Sequence, residues 1–127
     1  MPKIAVVFYR DSDGSIPIKK WIDNVVAKRD RRAVAKLLVR INMLREDGRD
    51  LRIPVVDYLR DGIYELRSEF GGVNYRLLYF FSRNTAVVIS HGCTKESVVP
   101  DSEIDLAIQH RFLFESDPER YTYYGDI

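Results

Sequence analysis

Apolar and polar positions change period along the chain, and each change marks an element. Lys3 to Tyr9 (KIAVVFY) is short, apolar and β-branched, the pattern of a strand. Asp11 to Gly14 predicts a loop, and Pro17 suits the first turn of a helix with Ser15 or Ile16 near its cap. Ile18, Trp21, Ile22, Val25 and Val26 then recur at three- and four-residue spacing, one stripe of a helix. After a break at Arg29-Asp30, Val34, Leu37, Leu38, Ile41 and Leu44 form a second stripe that stops at Gly48. This pair of helices is expected to lie over a sheet. Leu51 to Arg60 predicts a connector, because Pro54 disfavours a central strand.

From Gly62 to Lys95 the period becomes two. Ile63, Glu65 and Arg67 share one face of a strand, with Tyr64 and Leu66 on the other; Arg76, Leu78 and Phe80 oppose Tyr75, Leu77, Tyr79 and Phe81 in the next. Gly71-Gly72 predicts a two-residue hairpin turn, since both positions tolerate positive φ. Ser82-Arg83-Asn84 predicts the second turn, with Asn84 left-handed. Ala86 to His91 is apolar on both faces, as a central strand is. Pro100 to Glu103 opens a helix through about Phe114, with Ile104, Ala107, Ile108 and Phe112 inward. The tail beyond, about 116–127, lacks periodicity and either moves or packs its tyrosines. The expected architecture is a single α+β domain over 1–127, in the order β-α-α-β-β-β-α.

Composition narrows the class. One cysteine, Cys93, excludes a disulfide framework and a cysteine metal cluster. The first apolar run is too short for a signal peptide or a membrane span, so a cytoplasmic protein is expected. Net charge is only +1, but it is unevenly spread: residues 28–52 carry nine Lys/Arg against four acids, and residues 96–127 carry eight acids against two arginines. The basic segment suits contact with nucleic acid, and it equally suits a solvated helix face.

No Gly-rich phosphate loop, HExxH or GxSxG occurs, and two histidines are too few for a zinc site. The remaining chemistry is a set of cations on strands expected to leave one face uncovered: Arg67, Arg76, His91 and Lys95, with Glu65 among them. Such a set suits RNA cleavage, in which the substrate's 2′-hydroxyl attacks the adjacent phosphate. The protein then supplies charge stabilisation, a base and an acid. Arginine forks fit phosphate oxygens, and a histidine exchanges protons near neutral pH. Tyr64, Tyr75 and Tyr79 are placed to stack on bases. The same residues have plainer readings. Arg67 between Glu65 and Glu69 suits cross-strand ion pairs, His91 a structural hydrogen bond, and the tyrosines the core.

Leu59-Arg60-Asp61-Gly62-Ile63-Tyr64-Glu65-Leu66-Arg67, Tyr75-Arg76-Leu77-Leu78-Tyr79, Ser90-His91-Gly92 with Thr94-Lys95, and Pro100, Glu103, Ile104 and Ala107 occur in the order of a known pattern. Together they resemble the RelE/HigB toxin superfamily, in its phage-derived HigB-like branch. The resemblance implies a RelE-like fold, with two N-terminal helices against one side of a small twisted antiparallel sheet and a closing C-terminal helix. It implies the toxin of a toxin–antitoxin system: an endoribonuclease that needs no metal or cofactor and cleaves mRNA, commonly on the ribosome. A helix-turn-helix antitoxin is the implied partner. Arg67 and Arg76 match the family's basic strand positions, Lys95 one of its lysines after the last strand, and His91 the histidine often found before the glycine. The catalytic tyrosine of some members has no counterpart. Arg76, Arg67, His91 and Lys95 are the expected catalytic residues, and Glu65, Tyr64 and Tyr79 the expected substrate contacts. Cys93 stands where the pattern has Phe, and Lys95-Glu96 where it has two lysines. Two alternatives stay open: a non-nucleolytic toxin binding a protein such as gyrase, as ParE relatives do, and a decayed prophage protein that keeps only antitoxin binding.

Overall fold

The computed structural model describes residues 4–83, 86–94 and 97–127. The chain begins with β1 (Ala5–Tyr9) and enters a helical stretch over 17–29. This stretch is α-helical at α1 (Pro17–Trp21) and α2 (Ala27–Arg29), with a π turn (Ile22–Val26) between them. Ile18, Ile22 and Val26, each four residues apart, are all buried; the wider π turn keeps this row on the sheet, while Val25 is exposed rather than inward. Asp30 adopts an extended conformation that ends the stretch, and its carboxylate accepts from the Arg32 backbone N–H at 2.9 Å as the N-cap of α3 (Arg31–Asp47). On α3 the buried row is Ala33, Leu37, Ile41 and Leu44, with Leu38 exposed.

β2 (Val56–Arg60), β3 (Ile63–Phe70), β4 (Val73–Ser82) and β5 (Ala86–Thr94) follow, then α4 (Asp101–Ser116) and β6 (Thr122–Tyr123). The sheet order is β2-β3-β4-β5-β1-β6. All pairs are antiparallel except β1 with β5, so the sheet is mixed rather than wholly antiparallel. The expected connector ends in an edge strand, β2, which Pro54 precedes and does not interrupt. The turn from β2 to β3 is Asp61-Gly62, both at positive φ, as is Gly71-Gly72 between β3 and β4. In the next turn Arg83 carries the positive φ; Asn84 lies outside the described residues. The tail is placed: β6 pairs with Phe8 and Tyr9 of β1, and its neighbour Tyr121 packs toward α4.

β4 is buried at every position from Tyr75 to Phe81, so the sheet needs cover on both faces. One core lies between the sheet and α1–α3 and includes Phe8, Leu37, Ile41, Leu66, Leu77 and Ile89. The other lies under α4 and includes Ile63, Leu78, Phe80, Val88, Ile104 and Phe114. The face expected to be uncovered therefore carries a helix. Along α4 the inward residues are Ile104, Ala107, His110 and Phe114, while Phe112 is exposed. No helix among the described residues is long and apolar enough to cross a membrane.

Between β4 and β5 the register shifts: Leu78 pairs with His91 and Tyr79 with Ile89, leaving Ser90 as an extra residue in β5. This bulge turns both Ser90 and His91 toward α4. Beside it, Gly92 lies under the indole of Trp21, and a Cβ there would sit 2.3 Å from Trp21 Cε3. Gly92→Ala is expected to cost about 1–3 kcal/mol as overpacking against a rigid ring. Thermal unfolding tests this, and a midpoint equal to that of the parent protein contradicts it.

Candidate functional site

The β3–β4 register places Arg67 directly opposite Arg76, so both side chains project from the α4 face of the sheet. Like charges at paired positions repel unless something lies between them. Glu65, two residues before Arg67 on the same face, fills that role. Arg67 Nε donates to Glu65 Oε1 at 2.5 Å, and Arg76 Nη1 donates to Oε1 at 2.9 Å and Oε2 at 3.1 Å. Glu65 is 1% exposed and Arg76 9%, whereas the Arg67 side chain is 37% exposed. Arg67 also reaches Asp57 of β2 at 3.1 Å, and Arg76 Nη2 donates to the Ser97 carbonyl. Arg76 Nε is buried without a hydrogen-bond partner among the described residues.

This cluster forms the floor of an open cleft of about 540 Å³, walled by Tyr58, Arg60, Ser97, Val98 and Asp101. α4 begins at Asp101 and so leaves this end of the sheet uncovered. Arg60 on the wall is bound to Asp61 at 2.9 Å, Asp105 at 2.7 Å and Asp101 at 3.4 Å. Each arginine of the cleft thus already has a carboxylate. An anion entering it must compete for one, and Arg67, the most accessible of the Glu65 partners, is the one it can win.

The remaining expected site residues lie elsewhere. His91 shares the α4 face but is buried, with both ring nitrogens engaged: Nε2 with Glu103 Oε1 at 2.9 Å and Nδ1 with Ser90 Oγ at 2.9 Å. Ser90 Oγ also meets His110 Nδ1 at 2.7 Å, and the His110 ring stacks on Tyr9 with centroids 3.9 Å apart. Donor bookkeeping orients this chain. His91 Nε2–H donates to Glu103, the Ser90 hydroxyl donates to His91 Nδ1, and His110 Nδ1–H donates to Ser90. His91, expected to exchange a proton with substrate, here fastens α4 to the bulge. Tyr64 and Tyr79, the expected substrate contacts, lie apart from the arginines. They project from the opposite face, stacked on each other at 5.5 Å, and Tyr79 is buried in the core beneath α3, so neither meets a base beside Arg67. Tyr75 is buried on that side too. Lys95 lies outside the described residues.

Sequence reading missed Asp57, because β2 was expected to be a connector, and missed Ser90, Glu103 and His110. A polar residue at the inward spacing of Ile104, Ala107 and Phe114 is the signal that would have found His110.

A small mixed sheet covered by helices on both faces, with an arginine–carboxylate cluster at its uncovered end, defines an α+β protein compatible with the RelE-like fold. The family model of phage-derived protein Gp49-like (DUF891) matches residues 21–111, which span Trp21, the whole arginine cluster and His110. The chain belongs to this family, a RelE-like family associated with toxin–antitoxin systems. No curated protein matches the chain.

Two outcomes follow from the site's energetics. Glu65→Ala leaves two guanidinium groups without their shared counter-charge, one of them buried, and is expected to cost about 3–5 kcal/mol. Arg67→Ala, which leaves Glu65 still paired with Arg76, is expected to cost less. Denaturant unfolding ranks the two, and the reverse order contradicts the shared-carboxylate account. The histidine pair sets a pH dependence. Burial, and next the neighbouring His91, hold His110 down to about 4, and burial also lowers His91 although Glu103 opposes it. Unfolded histidines titrate near 6.5, so between about pH 4 and 6.5 the unfolded chain binds more protons. Stability is therefore full above pH 6.5 and falls toward pH 4. His110→Gln should flatten this fall in the melting midpoint, and equal pH profiles for the two proteins would remove His110 as its cause.

Proposed function

We propose that this protein is the toxin of a toxin–antitoxin pair and acts as an endoribonuclease on mRNA. The observation that carries the reading is the convergence of Arg67 and Arg76, from paired positions on adjacent strands, on the Glu65 carboxylate at the floor of an open cleft. Before substrate binds, the guanidinium groups rest on Glu65. A phosphodiester entering the cleft takes the fork of Arg67, the accessible partner, through charge-assisted hydrogen bonds. Glu65, relieved of one donor, accepts the proton of the adjacent 2′-hydroxyl. The 2′ oxygen bonds to phosphorus as the bond to the 5′ oxygen breaks, leaving a 2′,3′-cyclic phosphate and a 5′-hydroxyl. Arg67 meets the charge that develops on the phosphoryl oxygens. Arg76, buried and held between Glu65 and Ser97, is a positioning residue for the base. Lys95, which follows Thr94 in the chain, is proposed to protonate the leaving oxygen. A helix-turn-helix antitoxin is the proposed partner, and the ribosome the proposed setting.

A second reading, a toxin that binds a protein target, draws on the exposed Leu38 and Val39 of α3. Induced expression followed by mapping of mRNA ends separates the two. Growth arrest with new 5′-hydroxyl ends, reduced about 100- to 1,000-fold by Arg67→Ala, is the expected result. Arrest that persists in Arg67→Ala without new ends transfers the case to the protein target. Soluble protein with neither arrest nor ends overturns the toxin reading.

A further inference from the structure

The strand arginines of the cleft are neutralised by carboxylates, so uncompensated positive charge must be sought elsewhere. It lies in a second groove of about 320 Å³, between α3 and the β3–β4 hairpin, lined by Lys36, Arg40, Ser68, Glu69 and Tyr75. Lys36 and Arg40 are four residues apart and therefore on one side of α3. Lys36 donates to the backbone carbonyl of Glu69, and among the described residues Arg40 has only the Met43 sulfur at 3.8 Å. Among the described residues no carboxylate pairs with either. Arg32, one turn before Lys36, differs: it is held by Asp30 at 2.9 Å and lies over Phe70. Within the groove Ser68 Oγ is buried, at 2% residue exposure, without a hydrogen-bond partner among the described residues. A buried hydroxyl with no partner costs stability unless something fills its place. The groove and the cleft share Arg67, Asn74 and Arg76 in their linings, so the two meet at the uncovered end of the sheet.

We infer that this groove holds a backbone phosphate of single-stranded RNA next to the linkage seated in the cleft. Lys36 and Arg40 supply its counter-charge and Ser68 a hydroxyl donor. The substrate then crosses from the helix face to the α4 face around the end of β3 and β4. The inference deepens the nuclease reading and rests on it for the identity of the strand, yet the two are tested apart.

The test uses the full chain and a fluorescein-labelled single-stranded RNA oligonucleotide, 2′-O-methylated throughout so that it is not cut. Anisotropy is followed across a salt series. The parent protein is expected to bind. Lys36→Ala with Arg40→Ala is expected to weaken binding tenfold or more and to reduce the slope of log affinity against log salt by about 0.7 for each phosphate that is no longer neutralised. Lys28→Ala with Arg29→Ala removes equal charge from α2, and is expected to change affinity less than twofold. Matching melting midpoints establish that the variants are folded; if the double alanine variant melts early, Lys36→Gln with Arg40→Gln takes its place. Equal losses from both pairs, an unchanged slope, or no binding by the parent protein each overturn the groove. Groove-dependent binding without cleaved mRNA in cells keeps the groove and removes the nuclease. Cleavage with binding indifferent to Lys36 and Arg40 does the reverse.

Discussion

The local structure of the site depends on one carboxylate held between two cations. Guanidinium groups at directly opposed positions of neighbouring strands repel each other, and a buried carboxylate alone is costly to desolvate. Each condition answers the other: Glu65 lets Arg67 and Arg76 share a face, and they let Glu65 be buried. The arrangement depends on register. Gly71-Gly72 sets the β3–β4 pairing, and a slip of one residue would send Arg76 to the helix side, among Leu66, Leu77 and Tyr79. A short turn with no side chain therefore decides where the charge lies.

The bulge at Ser90 does a second job of placement. Without the extra residue, strict alternation would turn Ser90 and His91 to opposite faces. With it, both reach α4, where Glu103 and His110 complete a line of hydrogen bonds through the second core. These bonds fix α4 over the middle of the sheet. Because α4 starts only at Asp101, the arginine end stays open. The cleft owes its shape to where the covering helix stops.

Much of this was legible in the residues. The two-residue period of β3 and β4 correctly assigned Glu65, Arg67 and Arg76 to one face and Tyr64 and Tyr79 to the other. Side-chain period does not reveal which faces are covered, however, so it left open whether the tyrosines stack on bases or pack in the core; Tyr75 and Tyr79 are core and Tyr64 packs half-buried against it. β2 was hidden by Pro54, although Asp61-Gly62 is as good a hairpin signal as Gly71-Gly72. Val25 and Leu38 were misplaced because periodicity admits a wider stripe than one line of contact fills, and a π turn shifts that line. Glu103 lies 12 positions from His91 and His110 lies 20 from Ser90, and only packing brings them together.

The seat of Trp21 has a practical consequence. It is the chain's one tryptophan, its ring lies over Gly92, and it packs edge-to-face with Tyr75, ring centroids 6.1 Å apart. Its fluorescence therefore reports on whether the N-terminal helices are docked against β4 and β5, on the face of the sheet opposite α4. The molecule carries its own optical gauge for one of its two layers, so a loosening of that layer ahead of the other would show as emission changing before helix content is lost.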